Sequence, residues 1–256
     1  MTPPTDLPGP EPLFVIRGLE KRYDGKPVLG GLDFEVTRGE SLVILGRSGS
    51  GKSVTLRQLN GLEKPDAGSV TFDGVEISAL SESQLFPYRR RIAMLFQSGA
   101  LFDSMTVFDN VAFPLRQHTD LDRDRVAATV ADKLALVELE GVEETMPAEL
   151  SGGMRKRVAL ARSLALDPQV VLFDEPTTGL DPMTSATIAH LIRSARERLR
   201  TTSVVVTHDL ALAREVATRV AFLDGGRFRF LGTWDEAEGS SDPLLARFLA
   251  GQREES

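Results

Sequence analysis

The 256-residue sequence contains no cysteine, and this absence removes several kinds of chemistry at once. Disulfides, thiolate metal sites and cysteine nucleophiles are excluded, and the composition is compatible with a reducing compartment. Only three histidines remain for acid-base or metal work.

The chain also lacks a long hydrophobic run and a strongly basic segment. Its apolar runs, such as residues 170–173, fall far short of the roughly 20 residues that a transmembrane helix needs, so we expect no membrane span. Residues 1–12 carry five prolines without a basic stretch leading into an apolar one, which predicts a disordered tail and not a secretory signal. The formal charge of -7 without clustered lysine and arginine disfavours a nucleic-acid partner.

Short β-rich runs alternate with longer segments of helical periodicity, and this alternation predicts an α/β fold with a mainly parallel sheet. The runs at 170–173 and 203–206 are apolar on both faces, as in central strands that helices cover on each side. Between these two runs, Asp181 and Pro182 predict the start of a helix. The predicted strands are residues 13–16, 42–45, 70–72, 92–96, 170–173, 203–206 and 220–223.

Residues from about 98 to 166 contain no convincing strand and predict a helical insertion in the sheet domain. The Asp73-Gly74 and Asp224-Gly225-Gly226 turns each lie between apolar runs, which predicts hairpins and some antiparallel sheet near both ends. We therefore expect a tail at 1–12, one main domain at 13–240, and a C-terminal helix and tail at 241–256.

A glycine-rich segment directly follows the predicted strand 42–45 and opens a helical run. Glycines let backbone N–H groups curl around phosphate oxygens, and the helix N-terminus adds partial positive charge. Lys52 would reach the β- and γ-phosphates of a nucleotide, and Ser53 would place its hydroxyl on Mg²⁺. The segment reads Gly46-Arg47-Ser48-Gly49-Ser50-Gly51-Lys52-Ser53.

Polar side chains follow three other predicted strands, at the edge where α/β proteins bind their ligands. Asp174 could hold the Mg²⁺ shell while the adjacent Glu175 polarises a water for attack on the γ-phosphate. His208 could contact the γ-phosphate and orient that water. Gln97 could complete the Mg²⁺ and water shell. Taken singly, these residues also fit a solvated acidic loop and an ordinary structural histidine.

The motif Leu150-Ser151-Gly152-Gly153-Met154 introduces another helical run and by itself could be a serine-capped helix start. Together with the other motifs, it makes residues of about 13–232 resemble the ATP-binding-cassette (ABC) ATPase family. Each motif has its own matching position: the A-loop at Tyr23, the P-loop at 46–53, the Q-loop at Gln97, the signature at 150–154, Walker B at 170–175, the D-loop at 179–181 and the H-loop at His208.

The resemblance implies a RecA-like P-loop NTPase with an antiparallel β subdomain and an inserted helical signature subdomain. It also implies ATP hydrolysis with Mg²⁺ in a head-to-tail dimer with a second copy of the chain. Ser151, Gly152 and Gly153 of one subunit would bind the γ-phosphate held by the P-loop of the other, and Tyr23 would stack on adenine. Met154 departs from the commonest signature, which has glutamine.

The layout of the chain resembles a transporter subunit more than other ABC ATPases. DNA-repair members carry a long coiled coil between P-loop and signature, whereas fewer than 100 residues separate Ser53 from Ser151. Translation-type members carry two cassettes in one chain. The resemblance therefore implies an integral-membrane permease as partner and a peripheral position on the cytoplasmic face of the inner membrane.

The segment 96–111, Met154 and the closing residues Asp242-Pro243 and Arg247-Phe248-Leu249 resemble the ATPase of Mla-type phospholipid transporters. Those systems pair a permease with a lipid-binding protein of the mammalian-cell-entry class. An importer ATPase for amino acids or another small polar solute remains the alternative, followed by a soluble ABC ATPase without a transport role.

The stretch after Gln97 is where the resemblance places the groove for a permease coupling helix. Phe102 and Met105 fall between predicted elements and are expected to form an exposed apolar docking site. Phe108 and Val111 are expected to serve the local core.

Overall fold

The computed structural model describes residues 11–251 as ten strands, nine α-helices and two short 3₁₀ turns. The strands are β1 (Pro12–Tyr23), β2 (Lys26–Thr37), β3 (Ser41–Leu45), β4 (Ala67–Phe72), β5 (Val75–Glu76), β6 (Ile92–Leu95), β7 (Val170–Asp174), β8 (Thr202–Thr207), β9 (Arg219–Asp224) and β10 (Arg227–Gly232). The helices are α1 (Lys52–Leu59), α2 (Glu82–Arg89), α3 (Val107–His118), α4 (Arg123–Leu136), α5 (Gly152–Ser163), α6 (Pro182–Leu199), α7 (Leu210–Val216), α8 (Trp234–Glu238) and α9 (Pro243–Gly251).

The larger sheet has the strand order β10-β9-β3-β8-β7-β6. Its strands are parallel except β10, which pairs with β9 in an antiparallel hairpin. The smaller sheet, in the order β2-β1-β4-β5, is antiparallel throughout. This arrangement confirms the predicted α/β fold, and the turns at Asp73-Gly74 and Asp224-Gly225-Gly226 join the expected antiparallel pairs.

The larger sheet divides the core into two clusters. Along the fully buried β3, Leu42 and Ile44 belong to the cluster that includes side chains of α1 and the smaller sheet. Val43 and Leu45 belong to the opposite cluster, with side chains of α3 to α9. Because both faces are covered, the strand is a continuous apolar run.

The helices between β6 and β7 form the predicted insertion. Ser151 caps α5, since its hydroxyl accepts a hydrogen bond from the backbone N–H of Met154 at 3.2 Å. Asp181 caps α6 in the same way, accepting from the N–H of Thr184 at 3.0 Å. No helix within residues 11–251 combines the length and apolar character needed to cross a membrane.

The smaller sheet differs most from expectation. The predicted strand 13–16 is only part of the 12-residue β1, and β2 was not predicted. The two strands are joined by Asp24 and Gly25, whose φ angles of 49° and 77° form a tight hairpin turn. Adjacent glycines at 30 and 31 break the apolar alternation of β2 and hide it from pattern analysis.

Other strand boundaries differ by one to three residues, and parts of the expected tails lie outside the described residues. Strands β3, β4, β7, β8 and β9 extend beyond their predicted ranges. β6 ends at Leu95 and not at Phe96, and β1 already begins at Pro12. Most of the expected tail, residues 1–10, is outside the described range, as are residues 252–256 beyond α9.

Replacing Gly68 with alanine should destabilise the fold more than replacing Gly25. Both have positive φ, which costs an alanine about 1–2 kcal/mol. At Gly68 the new Cβ would also lie 2.2 Å from the backbone oxygen of Gly18, whereas nothing lies within 4 Å at Gly25. Denaturant unfolding of both variants measures the difference, and equal losses would contradict the close approach of β1 and β4.

Candidate nucleotide site

The carboxyl ends of four parallel strands meet at one edge of the larger sheet. In the strand register, Leu45 pairs with Thr207, and Asp174 pairs with Val206. Leu95 of β6 pairs with Phe173 of β7, so Gln97 emerges beside the two carboxylates. The parallel register therefore brings the P-loop, the carboxylate pair, Gln97 and His208 to one place, as the sequence predicted.

The P-loop wraps around the ammonium group of Lys52. Gly49 and Gly51 adopt left-handed φ angles of 78° and 105°, and α1 begins directly after them. The Lys52 Nζ donates hydrogen bonds to the backbone oxygens of Gly46 at 2.8 Å and Arg47 at 3.2 Å. Because only 6% of Lys52 is exposed, this positive charge is fixed at the mouth of the loop.

Glu175 lies between two basic side chains. Its Oε1 is 3.2 Å from the Nζ of Lys52, and its Oε2 is 2.9 Å from the Nδ1 of His208. The carboxylate is largely buried, whereas about half of the His208 side chain is exposed. Glu175 also has a positive φ of 46°, an uncommon conformation for a non-glycine residue that occurs often at functional sites.

Hard oxygen donors lie next to this group. The hydroxyl of Ser53 donates to the Oδ1 of Asp174 at 2.7 Å, and Asp174 and Gln97 line the same small cavity. Burial raises the pKa of Asp174, the Ser53 hydrogen bond opposes this rise, and the charge of Glu175 adds to it. A buried carboxylate with an adjacent hydroxyl, and a glutamine on the same cavity, fits Mg²⁺, which prefers oxygen ligands.

A cavity of about 650 Å³ opens over the P-loop. Ten of the predicted site residues line it: Tyr23, Arg47, Ser48, Gly49, Gly51, Lys52, Ser53, Gln97, Glu175 and His208. Gly46 and Ser50 belong to the loop itself, and Asp174 lies behind Ser53. Ser151, Gly152 and Gly153 at the start of α5 do not line this cavity.

Tyr23 lies at one side of the cavity with 39% of its surface exposed. Its hydroxyl donates to the carboxylate of Glu63, which also pairs with Arg57 at 2.9 Å. Burial raises the pKa of Tyr23 to about 12, with the hydrogen bond to Glu63 as the next cause. Tyr23 therefore stays protonated near neutral pH, and its hydroxyl is tied to Glu63.

Sequence reasoning missed several residues of this cavity. They are Val28, Val54, Arg57, Thr178 and Phe248. Val54 and Arg57 follow the P-loop on α1, so their position in sequence could have revealed them. Phe248 could not be found in that way, because its place depends on the packing of α9 against Phe222, with ring centroids 5.1 Å apart.

The fold and this site together define a P-loop nucleoside triphosphatase. The chain belongs to the ABC transporter family, whose family model matches residues 29–178. The comparisons with individual proteins agree with this assignment and confirm the resemblance seen in the sequence.

Relatives with 39–42% identity cover most of the chain. The intermembrane phospholipid transport system ATP-binding protein MlaF of Escherichia coli is 42% identical over 224 residues, 88% of this chain and 83% of that protein. MlaF of Haemophilus influenzae is 39% identical over 240 residues, 94% of this chain and 91% of that protein. The probable ribonucleotide transport ATP-binding protein mkl of Mycobacterium tuberculosis is 41% identical over 238 residues. That match covers 93% of this chain but 66% of the mycobacterial protein, slightly less than two thirds of its length.

Solved structures of ABC cassettes share the fold. The dimeric post-hydrolysis state of the ATP-binding cassette MJ0796, bound to ADP and Pi, has a TM-score of 0.80 and 32% identity, covering 86% of this chain and 98% of that one. The cbiO1 protein of Clostridium perfringens, part of the ABC transporter complex cbiONQ, has a TM-score of 0.83 and 30% identity, covering 95% and 97%.

Replacing Glu175 with glutamine should slow ATP hydrolysis by about 10²- to 10⁴-fold, because an amide cannot accept a proton from water. Nucleotide affinity should not weaken, since Lys52 loses the carboxylate that competes with phosphate. Steady-state hydrolysis and binding of a fluorescent ATP analogue measure the two effects. Lys52→Ala is the control and should lose binding; hydrolysis by Glu175→Gln at the wild-type rate would exclude Glu175 as the base.

Proposed function

We propose that the chain is the ATP-hydrolysing subunit of an ABC transporter that moves phospholipid through a partner permease. The observation that carries this proposal is the similarity to two MlaF proteins over 83% and 91% of their lengths. The phospholipid cargo and the partner proteins are inferred for this chain from that similarity.

Binding of ATP is proposed to rearrange the Lys52–Glu175 pair. The phosphates take the ammonium of Lys52, to which they offer stronger charge-assisted contacts than a single carboxylate does. Glu175 is then free to accept the proton of an attacking water, and His208, hydrogen-bonded to it at 2.9 Å, orients the carboxylate and contacts the γ-phosphate. Tyr23, 39% exposed at the side of the cavity, is proposed to stack on adenine.

Ser53, Asp174 and Gln97 are proposed to hold Mg²⁺. Their oxygen atoms suit this ion. A bound cation would also offset the unfavourable desolvation of the Asp174 carboxylate, which raises its pKa. The bound ion would neutralise negative charge on the phosphates during hydrolysis.

A second copy of the chain is proposed to complete the site in a head-to-tail dimer. The hydroxyl-bearing start of α5 is a helix N-terminus at which Ser151 is exposed and Gly152 and Gly153 are half-buried. Such a terminus attracts anions, and it does not line the cavity of its own chain. Ser151, Gly152 and Gly153 would bind the γ-phosphate held by the partner copy.

The permease is proposed to dock in a separate groove of about 640 Å³. Phe86, Phe96 and Phe102 are exposed aromatic side chains that line it, and Arg162 lies 5.5 Å from the ring of Phe102. Met105, expected beside Phe102, is half-buried and does not line the groove. Phe108 is half-buried and Val111 fully buried in the local core, as expected.

Docking in this groove would place the chain peripherally on the cytoplasmic face of the inner membrane. A lipid-binding protein of the mammalian-cell-entry class would be a further member of the complex.

Replacing Phe102 with lysine should weaken permease binding at least about ten-fold, since it replaces an exposed aromatic ring of the groove with a further cation beside Arg162. ATP binding should persist, because Phe102 lies outside the nucleotide cavity. The matched control is Leu231→Lys on β10, since Leu231 is 38% exposed and Phe102 40%. Co-purification of the permease measures the effect; equal retention by the two variants would exclude the groove as the docking site.

The native complex, purified from membranes in mild detergent, should contain phospholipid and a lipid-binding partner that increases ATP hydrolysis. Mass spectrometry of extracted lipids and of the partner proteins tests this. Stimulation of hydrolysis by an amino acid, or by a ribonucleotide as the name of the mycobacterial relative suggests, would instead support a transporter of small polar solutes.

A further inference from the structure

Lys156 is a buried cation that none of the roles above uses. It lies in the first half of α5 and is 8% exposed. Its ammonium donates a hydrogen bond to the backbone oxygen of Gln97. Burial lowers the pKa of Lys156, while the charge of Asp174 acts in the opposite direction.

Lys156 differs from the other buried lysine of the helical insertion. Lys133, 7% exposed, forms an ion pair with Asp167. Among residues 11–251, no ion pair within 4.0 Å includes Lys156. Burying an ammonium without a carboxylate partner costs free energy. Such a position beside a candidate site residue is typical of a functional role.

The segment that contains Gln97 depends on α5 for its shape. Gln97 lies beyond the end of β6, and Gly99 has a left-handed φ of 77°. Besides Lys156, α5 supplies Arg162, which donates to the backbone oxygen of Gly99 at 3.0 Å. A Cβ on Gly99 would lie 3.4 Å from the Cβ of Ala159, so the segment rests directly on this helix.

We propose that Lys156 is a positioning residue for ATP hydrolysis, which fixes the backbone of Gln97 so that its side chain stays in the cavities that it lines with Ser53 and Asp174. The inference rests on the proposed role of Gln97 as a Mg²⁺ ligand. Lys156 belongs to α5, the helix that Ser151 caps, so one helix carries both Ser151 and the contact with Gln97.

Lys156→Met in the 256-residue chain should weaken the effect of Mg²⁺ on nucleotide binding. Affinity for a fluorescent ATP analogue in EDTA should stay within about two-fold of wild type, while the tightening caused by Mg²⁺ should fall about 10- to 100-fold, as for other groups that orient metal ligands. The turnover number kcat should fall with it. Lys156→Arg, which keeps a cationic donor, should restore both properties.

Lys133→Met is the matched control, since it removes a buried ammonium from the same insertion without touching Gln97. It should lower thermal stability and leave the Mg²⁺ effect unchanged. A wild-type Mg²⁺ effect in Lys156→Met, or an equal loss in both variants, would overturn the inference. If Lys156→Met does not fold, Lys156→Gln is judged by the same criteria.

Gln97→Ala separates this inference from the proposed site. It should lose the Mg²⁺ effect as Lys156→Met does. If Gln97→Ala loses it and Lys156→Met keeps it, only the role of Lys156 is wrong. If Gln97→Ala keeps it, the metal role of Gln97 is wrong and the inference about Lys156 falls with it.

Discussion

The parallel pairing of β3, β8, β7 and β6 is the constraint on which the nucleotide site depends. Each strand is fixed to its neighbour by backbone hydrogen bonds, and apolar side chains on both faces keep it from slipping in register. Residues that follow these strands are therefore brought together although they are far apart in sequence. The strand register brings Lys52 and Glu175 to one edge, and α5 then supports the segment that carries Gln97 to the same place.

An ion pair between Lys52 and Glu175 lies at the centre of this site. A buried pair offers little net stability, because desolvation offsets much of the attraction between the charges. It does place the carboxylate of Glu175, a residue with a left-handed φ, directly against the P-loop cation. In the proposed function, a triphosphate that binds Lys52 would release this carboxylate to accept a proton from water.

Much of this architecture could be predicted from the sequence because it depends on local patterns. The apolar run before Gly46 predicts β3, and Asp181 with the following proline predicts the start of α6. β2 could not be found in that way, although Asp24-Gly25 carries the same hairpin signal as Asp73-Gly74. The contacts of Lys156 and Glu63 could not be predicted for another reason, which is their distance along the chain. Lys156 contacts Gln97, 59 residues away, and Glu63 contacts Tyr23, 40 residues away.

Phe248 connects α9, the last described helix, with the nucleotide cavity. Its ring is part of the wall of the nucleotide cavity and packs on Phe222 of β9, so α9 and the P-loop share one surface. Exchanging C-terminal segments between related cassettes would therefore alter the shape of the ATP pocket as well as the surface of the molecule. A chimaera designed to swap only a partner-binding tail would have to keep this aromatic contact to retain its nucleotide affinity.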